Sequence, residues 1–157
     1  MYYGEAQTAL DDKGRITLPA RFRQISQVQK HTDWYLARGF DRALFLFPHA
    51  QWEAIRAQVN RHAAMNPRAL DFRRLFYGSV AEVQVDKQGR IAVPPNLRQY
   101  GGLSKEVVVL GVETHLEIWS KVQWDAFQAE HDAEYKTMAG EVCGDLTGEV
   151  QLAEGAT

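Results

Sequence analysis

The chain has 157 residues, 45% hydrophobic and 24% charged, with a formal net charge of −2. These values fit an ordinary globular protein long enough to bury a core in one or two small domains. No run approaches the 18 or so apolar residues of a membrane span, and the start MYYGEAQTAL lacks the basic and apolar regions of a signal peptide. The single cysteine, Cys143, excludes an internal disulfide, so a cytoplasmic protein with no membrane partner is expected.

Charge is unevenly spread. Residues 1–120 hold 16 Lys+Arg against 12 Asp+Glu, whereas residues 121–157 hold 2 against 8. The body is mildly basic and the end acidic. With a pI of 6.2, any contact with a polyanion has to come from a focused patch or from many patches presented together.

In chain order, Thr8 to Leu10 reads as a strand entering the tight turn Asp11-Asp12-Lys13-Gly14. Gly14 supplies the positive φ such a turn requires. Beyond it Ile16 and Leu18 alternate with Arg15 and Thr17, a strand pattern, and Pro19 opens a short helix to about Ile25. A strand pair follows, Trp34 to Ala37 with Ala43 to Phe47. Trp52, Ile55, Val59 and Ala63 then recur at helical steps over residues 48–65. Residues 66–79, NPRALDFRRLFYGS, read as a basic linker carrying Arg68, Arg73 and Arg74.

The same series is then written again. Asp11, Gly14, Arg15, Ile16, Pro19 and Arg23 meet Asp86, Gly89, Arg90, Ile91, Pro94 and Arg98 in the same order. Downstream, Gly39, Leu44, Gln51 and Trp52 meet Gly111, Leu116, Gln123 and Trp124. Ile91 and Val93 repeat the inward positions, Pro94-Pro95 opens a helix ended by Gly101-Gly102, and Val107 to Leu110 pairs with Leu116 to Trp119. A last helix runs over 120–138 with Ser120 and Gln123 at capping-box spacing and Trp124, Phe127, His131, Tyr135 and Met138 on one stripe. Beyond about Gly140 a frayed acidic tail is expected. Two copies of one unit therefore span residues 1–66 and 80–138, joined by the linker 67–79 and followed by the tail 139–157.

The duplicated turn is the feature that bears chemistry. An Asp opening a turn accepts backbone N–H groups two or three residues on, and the Arg after the glycine leaves on the solvent side. A guanidinium held on a rigid turn suits phosphate, or guanine O6 and N7. Lys13, Arg21 and Arg23 are expected to cluster with Arg15, and the second copy, with Lys87, Arg90 and Arg98, is weaker. One such turn alone is explained by a surface Asp–Arg pair worth about 0–1 kcal/mol. Two turns, each followed by Ile-x-Leu/Val-Pro, favour a shared role.

GRITLP and GRIAVP, each behind an Asp turn, resemble the AbrB/SpoVT-type swapped-hairpin DNA-binding domain. Two such domains in a chain of this length resemble the MraZ family, with the likeness covering Met1 to about Met138. The resemblance implies a mainly β, α+β fold in which the two units form a pseudo-dimeric β-barrel-like core with flanking helices. It also implies ring-shaped homo-oligomers and binding to repeated boxes in double-stranded promoter DNA. Regulation of division and cell-wall cluster genes, including its own, and a nucleoid-associated location follow from the same likeness. DNA contact is expected from Arg15, Lys13, Arg21, Arg23, Arg90 and Lys87, on turns shaped by Asp11, Gly14, Asp86 and Gly89.

Other chemistry is thin. The five histidines, His31, His49, His62, His115 and His131, show no metal-ligand spacing with one another or with Cys143. Neither a P-loop nor a dinucleotide fingerprint occurs. No cofactor, metal or small-molecule substrate is expected, and no paired catalytic constellation supports an enzyme. The alternative is a protein-interaction module, antitoxin-like or for assembly, on the same fold. Against it, residues 139–157 offer only Val142, Leu146, Val150 and Leu152 as apolar anchors.

Overall fold

The computed structural model describes residues 1–30, 32–61 and 66–146. Expectations on His31, His62, Ala63 and Met65, and on the tail from residue 147, lie outside the described residues. By contact the chain divides into Met1–Trp124 and Asp125–Thr157.

The first body is α+β. Its elements are β1 (Tyr2–Ala9), β2 (Arg15–Thr17), α1 (Ala20–Val28), β3 (Trp34–Arg38), β4 (Leu44–Pro48), α2 (His49–Asn60), α3 (Pro67–Ser79), β5 (Ala81–Val83), β6 (Arg90–Ala92), α4 (Pro95–Tyr100), β7 (Glu106–Glu113) and β8 (Leu116–Ser120). A helix, α5 (Lys121–His131), runs from it into the second body, where a short 3-10 turn (Asp132–Glu134) precedes α6 (Tyr135–Cys143).

Six strands form one antiparallel sheet in the order β1-β7-β8-β4-β3-β5, and β2 pairs with β6 in a second sheet of two strands. Exchanging each strand for its counterpart in the other copy reverses the first order and leaves it unchanged. A pseudo-two-fold axis thus passes between β8 and β4, where Phe45 pairs with Glu117, and through the β2–β6 ladder, where Ile16 pairs with Ile91. The strands of the two copies interleave: the hairpins β7-β8 and β3-β4 lie side by side, and each is flanked on its outer edge by a strand of the other copy.

The core follows from the alternation. Ile16, Leu18, Ile91 and Val93 point inward and are at most 3% exposed. With Tyr2, Phe22, Trp34, Leu36, Leu97 and Val109 they form one cluster drawn from both copies. Each such side chain contributes about 1.5–3 kcal/mol when fully buried. On the opposite sheet face, Ala37, Phe47, Trp52 and Phe76 make a second cluster beneath α2 and α3.

Four expectations change. The first strand is longer than read: β1 begins at Tyr2, and most of its residues are exposed, so little apolar alternation announced it. The stretch 67–79, read as an irregular basic linker, is the helix α3. Asn66 caps it by accepting from the Arg68 amide (3.0 Å), and Pro67 takes the first turn, where its missing N–H costs nothing. The last helix breaks at Asp132–Glu134 and then continues past Gly140 to Cys143. Finally, Gly39 and Gly111 do not share a place. Leu44 pairs with Arg38 while Leu116 pairs with Gly111, so Gly111 stands where Arg38 stands in the first copy. There β1 approaches so closely that a Cβ on Gly111 would lie 2.5 Å from the Tyr2 carbonyl carbon.

Candidate nucleic-acid interface

Both Asp turns close in the same way. The Asp11 carboxylate accepts from the Lys13 amide and the Arg15 amide through Oδ1, both at 2.9 Å, and from Arg15 Nε through Oδ2 at 2.9 Å. Asp86 repeats the pattern with the Gln88 amide (2.9 Å), the Arg90 amide (2.8 Å) and Arg90 Nε (3.0 Å). Each turn is completed by the glycine amide donating to the Asp carbonyl at 3.0 Å, from Gly14 and from Gly89. Their φ angles of 76° and 80° lie in the left-handed region open to glycine. The Arg15 amide, its side chain and the Lys13 amide hold the Asp11 carboxyl below its ordinary value; the Arg90 amide leads the same effect on Asp86. The donating amides are those of the second and fourth residues on, not the second and third.

The ladder between β2 and β6 joins the turns. Arg15 pairs with Ala92 and Thr17 with Arg90, while Ile16 and Ile91 face the core. Arg15, Thr17, Arg90 and Ala92 therefore share the outward face of one two-stranded ribbon. The two arginines sit one diagonal step apart, about 7–8 Å between Cα atoms. Each side chain is about three-quarters covered, at 28% and 26% exposure, so its stem packs on the turn rather than standing free in solvent. The chain offers one composite face built from both copies.

The flanking cations are exchanged. The Leu18 amide donates to the Gly89 carbonyl (2.8 Å) and the Val93 amide to the Gly14 carbonyl (2.9 Å), so each copy's strand runs on to the other copy's turn. The Arg98 guanidinium in consequence lies against Gly14, and the Arg23 guanidinium against Gly89, where a Cβ on either glycine would meet it. Arg23 also donates through Nε to the Leu18 carbonyl (3.0 Å). The expected cluster of Arg23 with Arg15 is thus replaced by Arg23 with Lys87 and Arg90, and Arg98 belongs to the first turn. Arg21 is drawn off elsewhere: its guanidinium donates to the Glu5 carbonyl (2.6 Å) and packs over Gly4 and the Phe22 ring. Lys13 and Lys87 are exposed at the turn tips.

This exchange also reverses the ranking of the turns by charge. Two acids, Asp11 and Asp12, stand against Lys13, Arg15 and Arg98 at the first; one acid, Asp86, stands against Lys87, Arg90 and Arg23 at the second. Sequence reasoning missed one further member, Gln88. Its Oε1 accepts from Arg90 Nη2 (3.0 Å) and so holds one arm of that guanidinium. Gln88 aligns with Lys13, which has no acceptor to offer; comparing the two turns residue by residue would have found the difference. Among the described residues no group of His, Cys, Asp and Glu could hold a metal, and no helix is long and apolar enough to cross a membrane.

The sequence matches, twice, the family described as "MraZ protein, putative antitoxin-like", over residues 1–75 and 76–141. It is 39% identical to the transcriptional regulator MraZ of Desulforamulus reducens over 88% of this chain and 95% of that one. For the protein of the same description from Thermomicrobium roseum the identity is 42%, over 83% and 88%. That from Lactiplantibacillus plantarum is 37% identical over 88% and 96%. With matches over nearly all its length, the chain belongs to the MraZ family.

Proposed function

We propose that the protein is a sequence-specific DNA-binding regulator of transcription that works as a homo-oligomer on repeated promoter boxes. Its relatives are transcriptional regulators, and it is not an enzyme. The observation that carries the reading is the pair Arg15 and Arg90 on one outward ribbon face, each fixed through Nε by its own turn carboxylate. A two-stranded ribbon fits the roughly 12 Å major groove of B-DNA, and an arginine fork pairs with guanine O6 and N7 for about 1–3 kcal/mol of discrimination. Lys13, Lys87, Arg23 and Arg98 around the turns suit phosphates, which position the ribbon without reading sequence.

One chain supplies few such cations and binds weakly by itself. A ring-shaped assembly presenting several ribbons to spaced boxes gains through effective concentration. The operator to test first is the DNA upstream of the protein's own gene, within a division and cell-wall cluster, and a bound regulator would sit on the nucleoid.

The test is a gel shift on that DNA with one or two boxes, at native spacing and with the spacing shifted by about half a helical turn, roughly 5 base pairs. Two-box DNA at native spacing binds tightest, with a steep salt dependence of roughly −0.9 per neutralised phosphate. Equal affinity at both spacings would remove the multi-box mechanism, and no shift on any fragment would remove the DNA reading. The family description, which calls its members antitoxin-like, favours as second reading a protein ligand for the same fold. Retention on heparin, reversed by salt and lost in Arg15→Ala, separates DNA binding from it.

A further inference from the structure

Two apolar surfaces of the described chain are left uncovered. The first is a cleft of about 550 Å³ at the α2–α3 side of the sheet, lined by Phe40, Phe45, Phe47, Val59, Phe72 and Phe76. Phe40 and Phe72 are 67% and 44% exposed, and Leu75, next along α3, is 60% exposed. Soluble chains seldom leave so many large aromatic groups together in water without a partner. The second is α6. None of its residues is buried, and Tyr135 and Val142 are 74% and 83% exposed. Tyr135, Met138 and Val142 recur at steps of three and four, which puts them on one helical face. A helix of nine residues has too few turns to hold in water by itself. It needs something apolar to lie on.

Charge makes the two surfaces complementary. On α3, Asp71 pairs with Arg74 (3.3 Å), which leaves Arg68 and Arg73 without an ion-pair partner among the described residues. Along the α6 arm, Asp132, Glu134 and Glu141 stand against Lys136. Arg68 lines the cleft itself. An acidic amphipathic helix beside a basic aromatic cleft is the helix-in-groove mode of recognition.

We propose that α6 of one copy docks in the α2–α3 cleft of the next, with Tyr135, Met138 and Val142 over Phe72 and Phe76 and the acids of the arm facing Arg68 and Arg73. The contact joins two different patches, so it repeats head to tail and closes into a ring when the rotation allows. It rests on the self-assembly put forward above and adds the surfaces that make it.

The experiment uses two full-length variants, Phe72→Glu in the cleft and Tyr135→Asp/Val142→Asp on the arm, with Ala69→Glu, also in the cleft lining, as a second cleft variant should Phe72→Glu lose its far-ultraviolet dichroism. Masses are read by light scattering for each alone and for the equimolar mixture. Wild type assembles, each variant alone is a monomer of 17.8 kDa, and the mixture forms a one-to-one dimer and nothing larger. The mixture stops there because only one good cleft and one good arm remain to meet. If either folded variant assembles as wild type does, or if two monomeric variants stay monomeric when mixed, the docking is wrong while assembly stands. A wild type that is itself monomeric would bring down the assembly reading as well.

Discussion

The two Asp turns share a backbone to within 0.1 Å in every corresponding hydrogen bond, yet they hold their arginines differently. At the first, Arg15 is held through Nε alone and both terminal nitrogens have no other protein partner among the described residues. At the second, Gln88 takes an Nη2 proton of Arg90, so a ligand has to displace that bond or use what remains. The second turn in exchange has less acid around it, with Arg23 alongside as Arg98 is at the first. A fork with both ends open suits bidentate base reading, and a tethered arginine in a more positive setting suits phosphate. On the proposed function, the duplication has kept the scaffold and divided the work.

The sharpest way to break this comparison is to remove each arginine in turn. Arg15→Ala should cost about 1–3 kcal/mol of specific binding per box, with fold and assembly intact. Arg90→Ala should cost less and reduce affinity for specific and random DNA alike. Titrations on operator and scrambled DNA check this, and a larger specific loss for Arg90→Ala would invert the assignment. Next in size, Gly14→Ala and Gly89→Ala should each lower stability by about 1–2 kcal/mol, because alanine at positive φ is strained and its Cβ meets Arg98 or Arg23. Denaturant midpoints should fall equally for the two; unequal falls would mean the scaffolds are not equivalent.

A subtler exchange tests the tether. Lys13→Gln gives the first turn the residue of the second, and should reduce the difference between Arg15→Ala and Arg90→Ala a few-fold; an unchanged difference would absolve Gln88. The smallest effect concerns pH. Both turn carboxyls lie below their ordinary value in the folded chain, so the unfolded chain takes up the protons first. Their contribution is complete above the unfolded carboxylate pKa of about 4 and disappears as pH falls through the lower folded values. Arg15→Ala or Arg90→Ala should flatten that acid limb slightly, and neither should make stability depend on pH between pH 6 and pH 8, a window that begins about two units above that carboxylate pKa.

Much of this was legible in the amino acids. Ile16, Leu18, Ile91 and Val93 alternate with polar residues and are buried, and the Ser120 hydroxyl accepts from the Gln123 amide (3.1 Å) as their spacing implies. The rest was hidden for separate physical reasons. Strand β1 is mostly exposed and carries the polar residues Glu5 and Gln7 outward with Gly4 and Thr8 on the other face, so it lacks apolar periodicity. In α3 the three arginines drew the eye from the cap, Asn66-Pro67, and from Phe72 and Phe76 at helical spacing. The destination of Arg23 is a tertiary fact: nothing near residue 23 says that it lies on Gly89, because strand exchange between copies decides it. His131, on the apolar stripe of the last helix, is half-covered and stacks on Phe127 within its own helix, with ring centroids 4.2 Å apart.

The crossing of Leu18 onto Gly89 and of Val93 onto Gly14 sets an order of events at synthesis. When the first turn leaves the ribosome, the strand that completes it has not been made, and the Gly14 carbonyl has no Val93 amide to accept from. Such distant pairings form late, after the intervening chain is in hand. A truncated product ending in the linking helix would carry Asp11, Gly14 and Arg15 and still lack the second strand of the ribbon. The face proposed to read DNA thus comes into being only when both halves are present, so on that proposal an unfinished chain has no means to occupy a promoter.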